Sequence, residues 1–347
     1  MKKLKVGVIG LGMGGAHING FRTHPDVEVV AVADSDPTRL EQRGKKEFNI
    51  PNCYLSAEEM LKKEKLDVVS VVTPNKFHRP LTIAALEAGA HVLCEKPMAM
   101  NAKEARDMNA AAKKAKKRLM INFSFRFSPQ SYAMKREVES GILGEIYFAR
   151  TVWHRRRGLP GFGGWFGQKA LSGGGPLIDL GVHRLDLALW LMGYPKPAWA
   201  ISGTYNPIAT RLAKEQNKKY DVEDFAAAMI KFQNGAILEL EASWAANIKE
   251  REHMETRLLG KKGGLLQRNL NEGYEFDAEF FIESNGCQYD MKLHPPVPAA
   301  HCSMYHFADS ILNNKPNIAT GEEGLVVMEI LDAIYKSAKE GKPVKFT

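Results

Sequence analysis

The chain has 347 residues, of which 25% are charged and 44% hydrophobic, a composition that allows a sizeable core and excludes disordered and collagen-like proteins. Its 48 Lys and Arg exceed its 40 Asp and Glu by 8, but this excess is diffuse, and the short basic clusters that stand out have no interleaved aromatic residues, which argues against nucleic-acid binding. The four cysteines form no CxxC pair, so we expect neither a zinc ribbon nor a disulfide framework. No run of 18 apolar residues occurs, and the basic, apolar start MKKLKVGVIG leads into glycines rather than a cleavage site. We therefore predict a soluble cytoplasmic protein.

The first part of the chain alternates short apolar runs with helix-like stretches. The runs are rich in Val, Ile, Leu and Ala and span residues 4–10, 27–33, 67–72, 90–94 and 118–123. Near-continuous apolar strands suit a parallel sheet that is covered on both faces. Asn101, with Glu104 three positions later, predicts the capped start of a helix that ends near Lys117. We predict a doubly wound parallel sheet over residues 1–123.

Residues 124–347 have the pattern of longer strands and hairpins. In FAAAMIKF-QNG-AILELEASW, Asn234-Gly235 supplies the positive φ angles of a tight turn. Other runs of this pattern predict strands at 146–154, 198–205, 255–260 and 287–292, and residues 321–340 predict an amphipathic helix. The prediction is an α/β fold whose second domain carries a large, open, mostly antiparallel sheet, and whose C-terminal helix can pack back on the first domain.

A glycine motif stands between the first predicted strand and the first predicted helix. The segment 10–15, GLGMGG, reads G-x-G-x-x-G: Gly10 makes the tight turn, Gly12 lets a pyrophosphate approach the backbone, and Gly15 packs the helix on the strand. Met13 and Gly14 begin the helix, whose N-terminus attracts phosphate. The motif predicts a dinucleotide-binding Rossmann domain, with a glycine-rich turn of another βα unit as the alternative.

An acidic residue ends the second predicted strand and bears on the choice of cofactor. Asp34 lies 19 positions beyond Gly15, where a carboxylate binds ribose hydroxyls and repels the 2′-phosphate of NADP. The next residue is Ser35, where an NADP enzyme often has a basic side chain, and Arg39 is close enough in sequence to contact the adenine or a phosphate. We predict NAD rather than NADP.

Polar clusters follow two further predicted strands. The segment Thr73-Pro74-Asn75, with His78, comes after VVSVV, and Glu95-Lys96-Pro97 comes after HVLC. Ligands of doubly wound sheets bind beyond the carboxyl ends of the strands, so both clusters are expected near a nicotinamide. Taken alone, the first would be a turn or helix cap and the second a solvated loop.

A glycine run in the second domain leads into a helix with a polar stripe. Pro176 suits the first helical turn. Asp179, His183, Asp186 and Trp190 follow at i, i+4, i+7 and i+11 and share one face of an otherwise apolar helix. The stripe is either a solvent-facing row or part of a functional site.

The motifs together resemble one family, the glucose-fructose oxidoreductase / inositol dehydrogenase / rhizopine catabolism (Gfo/Idh/MocA) family. The resemblance covers essentially the whole chain, because GLGMGG, VADSDP, TPNKFH, CEKPMAM, NFSFRF and GGGPLIDLGVHRLD appear in this order. It implies a Rossmann domain, a C-terminal α/β domain with a large open sheet, and homodimers or homotetramers built on that sheet. It also implies an NAD(P)-dependent dehydrogenase that oxidises a secondary hydroxyl of a sugar, sugar derivative or inositol.

The resemblance assigns catalytic roles to three residues. Lys96 would be the active-site lysine, joined to Pro97 by a cis peptide bond, and Asp179 and His183 would complete the set. The chemistry needs a base at the hydroxyl while a hydride leaves for nicotinamide C4, and histidine titrates near neutrality. Lys96 would stabilise the negative charge on the same oxygen, and Asp179 would orient the imidazole or bind a neighbouring hydroxyl. Whether His183 or Lys96 takes the proton first stays open.

The resemblance also suggests contacts to the ligands. Asn122 would lie near the nicotinamide, and Arg126, His154 and Trp165 would line the substrate cleft. The arginines that follow His154 suit an acidic or phosphorylated sugar, but neutral sugars also bind arginine and histidine. An edge strand whose charges discourage aggregation is the alternative interpretation of this segment.

Three other functions compete with the dehydrogenase. The first is a redox-neutral glycosidase that recycles its NAD, and the second is a nucleotide-binding protein without turnover, for which the set Lys96, Asp179 and His183 would have no use. The third is a metal site formed by His154, Asp179 and His183, a set that no cysteine joins. We predict no metal and no membrane partner.

Overall fold

A computed structural model describes residues 3–294 and 301–346 and divides them into two compact units. The first unit contains the residues up to Ser124 together with His301–Met328. The second contains residues 125–294 and 329–346. The predicted second domain covered residues 124–347, with a C-terminal helix that can pack back on the first domain. In the structure, residues 301–328, which include the start of that helix, belong to the first unit.

Strands and helices alternate along the first unit, and strands predominate in the second. The strands are β1 Leu4–Ile9, β2 Val27–Ala33, β3 Asn52–Tyr54, β4 Val68–Val71, β5 His91–Cys94, β6 Leu119–Ile121, β7 Ile146–Arg155, β8 Pro197–Tyr205, β9 Phe225–Phe232, β10 Ile237–Ser243, β11 Glu252–Gly260, β12 Gly263–Leu270, β13 Glu275–Ser284, β14 Cys287–Lys292 and β15 Val344–Lys345. The α-helices are α1 Gly14–Arg22, α2 Pro37–Arg39, α3 Ala57–Lys63, α4 His78–Glu87, α5 Ala102–Ala115, α6 Pro129–Glu139, α7 Lys169–Ser172, α8 Val182–Met192, α9 Pro207–Glu215, α10 Ser303–Leu312 and α11 Gly321–Glu340. Two segments are π-helical, Leu40–Glu47 and Leu177–Gly181, and short 3-10 turns span Asn75–Phe77, Ser124–Phe127 and Trp165–Gly167.

The first unit contains a six-stranded sheet in the order β3-β2-β1-β4-β5-β6, and its strand pairs are parallel. The five predicted strands are present, and their valines are buried because helices cover both faces. The predictions missed β3, whose residues Asn52–Tyr54 lack an apolar run. The strand order reverses between β1 and β4, and this reversal is where doubly wound sheets bind their ligands.

The second unit contains a nine-stranded sheet in the order β14-β13-β12-β11-β7-β10-β9-β8-β15. Its central pair, β7 and β10, is parallel and the neighbouring pairs are antiparallel, so the predicted mostly antiparallel sheet is confirmed. The predicted turn at Asn234-Gly235 joins β9 to β10, with Gly235 at a φ of +92°. The predictions missed β12, β13 and β15.

The two faces of this sheet differ in what lies on them. Trp153 of β7 and Met254 of β11 form a buried cluster with Leu180, which precedes α8. We call this the covered face. Because side chains alternate along a strand, Arg150, Val152 and His154 of β7 lie on the opposite face, which we call the open face. Among residues 3–294 and 301–346, every helix is too short or too polar to span a lipid bilayer.

Candidate active site

The turn after β1 lets a ligand approach the backbone closely. Gly10 has a φ of +95°, and a Cβ atom there would collide with the carbonyl oxygen of Val72, so glycine is required. A Cβ atom at Gly12 would meet no atom within 4 Å, which leaves the space above the turn open. Helix α1 begins at Gly14, directly after the exposed Met13, and directs its positive end toward this space. The turn therefore fits the pyrophosphate of a dinucleotide.

Asp34 lies beside the turn, at the carboxyl end of β2. Its buried carboxylate accepts a hydrogen bond from the Leu11 backbone N–H at 2.7 Å and another from the Asp36 N–H at 2.9 Å. Arg39 Nη1 donates to both carboxylate oxygens, at 3.0 and 3.1 Å. Ser35 is exposed next to it. A carboxylate held in this place can accept from ribose hydroxyls, as predicted for NAD.

The end of β4 presents a buried hydroxyl. Thr73 Oγ1 has no hydrogen-bond partner among the described residues, which is the state of a group suited to bind a ligand. Pro74 leads into the 3-10 turn that begins at Asn75, whose side chain is buried. A ribose hydroxyl or a carboxamide would satisfy Thr73 in this place.

His78 has a different role from the predicted cofactor contact. Its ring is fully buried, with Nδ1 2.7 Å from the Pro97 carbonyl oxygen and Nε2 2.8 Å from that of Thr73. Burial lowers the pKa of His78, and the hydrogen bonds to the two carbonyl groups oppose this effect. The imidazole links the loops after β4 and β5 and leaves no nitrogen for a ligand.

Glu95 forms the centre of a buried polar network at the end of β5. His17 Nε2 lies 2.7 Å from Glu95 Oε1, and Asn122 Nδ2 donates to the same oxygen at 2.5 Å. The network continues from His17 Nδ1 to Ser70 Oγ at 2.7 Å, and Ser303 donates to Asn122 Oδ1 at 2.6 Å. Asn122 therefore lies beside Glu95 at the end of neighbouring β6.

The charge of Glu95 is stabilised in spite of its burial. Burial alone would raise the pKa of Glu95, but the hydrogen bonds from His17 and Asn122 and the nearby charge of Lys96 lower it to about 2. The carboxylate is thus ionised at every physiological pH. Lys96 follows directly, its backbone N–H donates to Glu95 Oε2 at 3.1 Å, and its peptide bond to Pro97 is cis, as the resemblance implied.

In the second unit, Asp179 and His183 are the surface residues of a buried helical segment. Of residues 174–191, these two alone are not buried. The predicted partners on the polar stripe, Asp186 and Trp190, are buried instead. The segment starts with the π-helical turn Leu177–Gly181 before α8, so a constant 3.6-residue spacing does not apply along it.

Two distant residues hold the start of this segment. Trp244 is fully buried, and its indole Nε1–H donates to Asp179 Oδ2 at 3.0 Å. Glu223 accepts from the backbone N–H groups of Gly175 at 2.9 Å and Leu177 at 3.2 Å, and from the Tyr335 hydroxyl at 2.9 Å. Burial raises the pKa of Glu223, and its hydrogen-bond donors oppose this effect. Glu223 caps the helix start, and Trp244 orients the carboxylate of Asp179.

Aromatic rings enclose the imidazole of His183. Its ring centroid lies 5.1 Å from that of Phe125 and 5.7 Å from that of Trp153. The guanidinium of the next residue, Arg184, lies over the same two rings at 4.6 and 5.4 Å and over Phe276 at 5.0 Å. Burial lowers the pKa of Arg184 to about 9. The rings therefore pack against a buried cation on one side and against His183 on another.

Arg126 does not have the predicted position for substrate binding. Its side chain is fully buried, and its Nε and Nη2 donate to the two carboxylate oxygens of Asp186 at 2.9 and 2.5 Å. Nη2 also donates to the Tyr194 hydroxyl, and the guanidinium lies 5.7 Å from the Trp190 ring. This buried, forked ion pair packs α8 against the segment before α6 and explains why Asp186 is buried.

His154 does not belong to the group around His183 either. The two histidines lie on opposite faces of the sheet, because Trp153 contacts His183 from the covered face and its neighbour His154 lies on the open face. There His154 Nε2 lies 3.4 Å from Glu241 Oε2, and burial lowers the pKa of His154. The metal set of His154, Asp179 and His183 is therefore wrong, and the described residues contain no cluster of ligands that could hold a metal.

Trp165 lies in the loop before α7 and is connected to Asp179 by aromatic contacts. Its ring stacks on that of Phe166 at 3.8 Å, and Phe166 meets Trp244 edge to face at 6.3 Å. Trp244 in turn donates to Asp179. The partly exposed Trp165 remains a candidate for stacking on a sugar ring.

The sequence predictions missed several residues that hold the site. They are His17, Glu223, Trp244 and Arg184. The alternation of the predicted strand did place Trp244 on its apolar face, but no local signal pairs it with Asp179, which is 65 positions away. His17 follows Gly15 by two positions on α1, and nothing in its spacing indicates Glu95.

Two family models match the chain. One is described as an oxidoreductase family with an NAD-binding Rossmann fold and matches residues 4–123; the other is described as its C-terminal alpha/beta domain and matches residues 135–346. A D-glucoside 3-dehydrogenase of Escherichia coli (strain K12) is 36% identical over 99% of this chain and 97% of its own length. A D-apiose dehydrogenase of Paraburkholderia graminis is 27% identical over 99% and 90%.

The fold of the chain is similar to that of solved structures. Levoglucosan dehydrogenase in complex with NADH superposes with a TM-score of 0.87 at 24% identity, covering 100% of both chains. At this level of identity the likeness shows the fold.

Proposed function

Since the chain belongs to the Gfo/Idh/MocA family of NAD-binding oxidoreductases acting on CH–OH groups, we propose that it oxidises a secondary hydroxyl of a sugar or sugar derivative. One observation carries the proposal: Asp179 and His183 are the two residues of the buried segment 174–191 that reach the surface. A relative similar over nearly its whole length is named D-glucoside 3-dehydrogenase, so glycosides are the first substrates to test.

In this proposal the first unit holds the cofactor. Gly10, Gly12 and Gly14 receive the pyrophosphate, Asp34 accepts from the ribose, and Thr73 and Asn122 lie at the strand ends expected for the nicotinamide side. Bound NAD would accept the hydride at nicotinamide C4. The open space at Gly12 and the unsatisfied hydroxyl of Thr73 support this assignment.

The side chains of Lys96, Asp179 and His183 have separate roles around the substrate hydroxyl. His183 and Lys96 together handle the proton of the substrate hydroxyl, and an imidazole is a competent general base near pH 7. The aromatic walls of His183 restrict its ring to few orientations. Lys96 stabilises the negative charge that develops on the hydroxyl oxygen. Asp179, held by Trp244, orients the imidazole or binds a neighbouring hydroxyl.

The test is NADH formation by purified protein with alkyl and aryl glucosides, free sugars, inositols and sugar acids, with Lys96→Ala and His183→Ala in parallel. We expect NADH with a sugar substrate, and its loss in both variants. Release of aglycone from an aryl glucoside without net NADH would replace the proposal with a redox-neutral glycosidase. Tight NAD binding without any turnover over this panel would favour a binding protein.

We further propose that the protein forms a homodimer or homotetramer through the open face of the second sheet. This face carries large, partly exposed apolar side chains, among them Ile201 and Phe281. A second copy of the chain packed on this face would cover these side chains. Light scattering after gel filtration tests this: a dimer or tetramer is expected, and a monomer at micromolar concentration contradicts it.

A further inference from the structure

We propose that Arg184 is a positioning residue for the proposed oxidation and that it acts through His183. Its buried positive charge favours the neutral form of the neighbouring imidazole, which is the form that can accept a proton from the substrate. The inference rests on the proposed share of His183 in proton transfer, and it concerns residues of the second unit alone. The proposed reaction gives no other role to Arg184.

The guanidinium of Arg184 is fully buried, and no carboxylate of the described residues pairs with it. Nη1 donates to Gln267 Oε1 at 3.2 Å, Nη2 lies 3.3 Å from Met254 Sδ, and Nε has no hydrogen-bond partner within residues 3–294 and 301–346. Arg126, the other fully buried arginine of the described chain, differs because both carboxylate oxygens of Asp186 accept from it. Arg184 thus carries a positive charge that no adjacent carboxylate neutralises.

Burial of this charge costs free energy that an apolar side chain would not cost. A buried cation loses its hydration, and a neutral amide and a thioether replace little of it. Burial accordingly lowers the pKa of Arg184 to about 9, a value that still leaves the guanidinium protonated at pH 7. A methionine would fill a similar space among the rings without this cost. The presence of arginine is therefore explained by its charge rather than by its packing.

The guanidinium of Arg184 and the imidazole of His183 contact the same two rings. The centroid of Phe125 lies 4.6 Å from the guanidinium and 5.1 Å from the imidazole, and that of Trp153 lies 5.4 and 5.7 Å from them. At most about 10 Å therefore separates the two groups. Across an effective dielectric constant of about 20, a unit charge at this distance opposes protonation of an imidazole by about one pH unit.

Other charged or titratable groups also face this cluster. On the covered face of β7, β11 and β13, on the segment before α6 and on α8 and its first turn, they are the ion pairs Arg155–Glu252 and Arg126–Asp186, the Asp179 carboxylate and the Tyr274 hydroxyl. The two ion pairs contribute little net charge, because their atoms lie within 2.8 Å and 2.5 Å of each other. Asp179, one turn before His183, favours the imidazolium, and Arg184 offsets this effect.

The experiment follows the protonation of His183 directly, by NMR titration of its imidazole C2–H without substrate or cofactor. The resonance is identified by its loss in His183→Asn. In Arg184→Met, which has a similar length and no charge, the midpoint of the titration should rise by about 0.5 to 1 pH unit. In Arg184→Lys, which keeps a cation, the midpoint should stay within about 0.2 pH unit of the wild type.

Glu252→Gln tests the same effect in the opposite direction, and it keeps the test decisive if Arg184→Met does not fold. The charge of Glu252 acts on Arg184, and its carboxylate pairs with Arg155. Its removal leaves more positive charge near the imidazole, so the midpoint should fall. Arg150→Met is the matched control, because Arg150 lies on the open face of β7 and pairs with Glu241 at 2.6 Å. Its midpoint should equal that of the wild type.

The acid side of a plot of kcat/KM against pH should follow these midpoints when a sugar is oxidised. An unchanged midpoint in Arg184→Met, or an equal rise in Arg184→Lys, would overturn the role of the charge and leave Arg184 with packing alone. The NMR titration needs no turnover. Absence of sugar oxidation would therefore contradict the proposed function without changing the titration, so the two failures are distinguishable.

Discussion

Asp34 of the first unit and Asp179 of the second unit, two of the predicted site carboxylates, are held in different ways. In the first unit, Asp34 is bound by two backbone N–H groups of nearby loops and by the side chain of Arg39, five positions away. In the second unit, Asp179 is bound by the side chain of Trp244, a residue 65 positions away on another strand. The rings around His183 are likewise contributed by separate segments, through Phe125 and Trp153.

This difference has consequences for substitution. A group held by the backbone keeps its partners as long as the turn folds, so most side-chain changes nearby leave it in place. A group held by buried side chains loses its orientation when one of them changes. The surroundings of Asp34 should therefore tolerate single substitutions that the surroundings of Asp179 do not. The experiments below test the groups that hold the functional residues in both units, from the largest expected effect to the smallest.

The largest effect is expected at His183. Replacing His183 with Asn removes the proposed base and should lower kcat/KM roughly 100- to 10,000-fold, with NADH binding unchanged. The matched control is His154→Asn, on the open face of the sheet, which should change kcat/KM by less than about twofold. Steady-state kinetics of both variants decide the point, and equal losses would contradict the placement of the two histidines.

The next effect concerns the free energy of unfolding, whose pH dependence should differ between variants of Glu95 and Glu223. The pKa of Glu95 falls from 4.5 to about 2, which corresponds to about 3 kcal/mol of stability at pH 7. Because this pKa is lowered by folding, the contribution is present above pH 4.5 and disappears as the pH falls toward 2. At pH 7, the free energy of unfolding of Glu95→Gln should be lower than that of the wild type by this amount. As the pH falls toward 3, the variant should lose less stability than the wild type. Urea titrations between pH 7 and pH 3 measure both differences.

The contribution of Glu223 to stability depends on pH in the opposite direction from that of Glu95. Burial raises its pKa, so its contribution to stability is greatest at low pH and is lost as the pH rises through its folded-state pKa. In Glu223→Gln, that loss with rising pH should be absent. The exposed Glu87→Gln serves as the control for both variants and should follow the wild-type pH profile. Identical pH slopes for Glu95→Gln and Glu223→Gln would contradict the opposite pKa shifts of these two carboxylates.

A smaller effect is expected at Trp244. Trp244→Phe keeps most of the buried ring but removes the N–H that binds Asp179. Because this hydrogen bond is made to a charged group, its loss should lower kcat roughly 10- to 100-fold, while the Kd of NADH stays unchanged. Trp190→Phe, which packs against Tyr132 and Arg126 instead, is the control. If both variants lose kcat equally, Trp244 has only a packing role.

The smallest effect concerns the support of Glu223. Tyr335→Phe removes one of the donors to Glu223 Oε1 and should lower the free energy of unfolding by about 1 kcal/mol. Tyr289→Phe, on the exposed strand β14, should have no effect. Chemical denaturation of both variants gives the comparison, and a loss of several kcal/mol in Tyr335→Phe would mean that this hydroxyl supports far more than one contact.

The parts that sequence reasoning predicted depend on local rules. A glycine with positive φ at Gly10, a carboxylate at the end of a strand at Asp34, and a turn at Asn234-Gly235 each follow from a few neighbouring residues. The parallel order of the first sheet follows in turn from its apolar strands and helical connections. These features needed no knowledge of long-range contacts.

The parts that it missed depend on register and on distant partners. A shift of one residue along β7 exchanges the faces of Trp153 and His154, and no pattern within the strand identified which face the helix covers. Arg126 was predicted at the substrate, yet its partner Asp186 is 60 positions away and binds it inside the core. The support of Asp179 by Trp244 is of the same kind, since only the folded sheet brings them together.

The most direct test of the proposed oxidation follows the hydrogen itself. A glucoside deuterated at its ring carbons is incubated with NAD and the enzyme, and the reduced cofactor is analysed by mass spectrometry and NMR. We predict one deuterium atom at nicotinamide C4, together with a keto sugar as product. NADH without deuterium, or release of the aglycone with no reduced cofactor, would contradict the proposed oxidation.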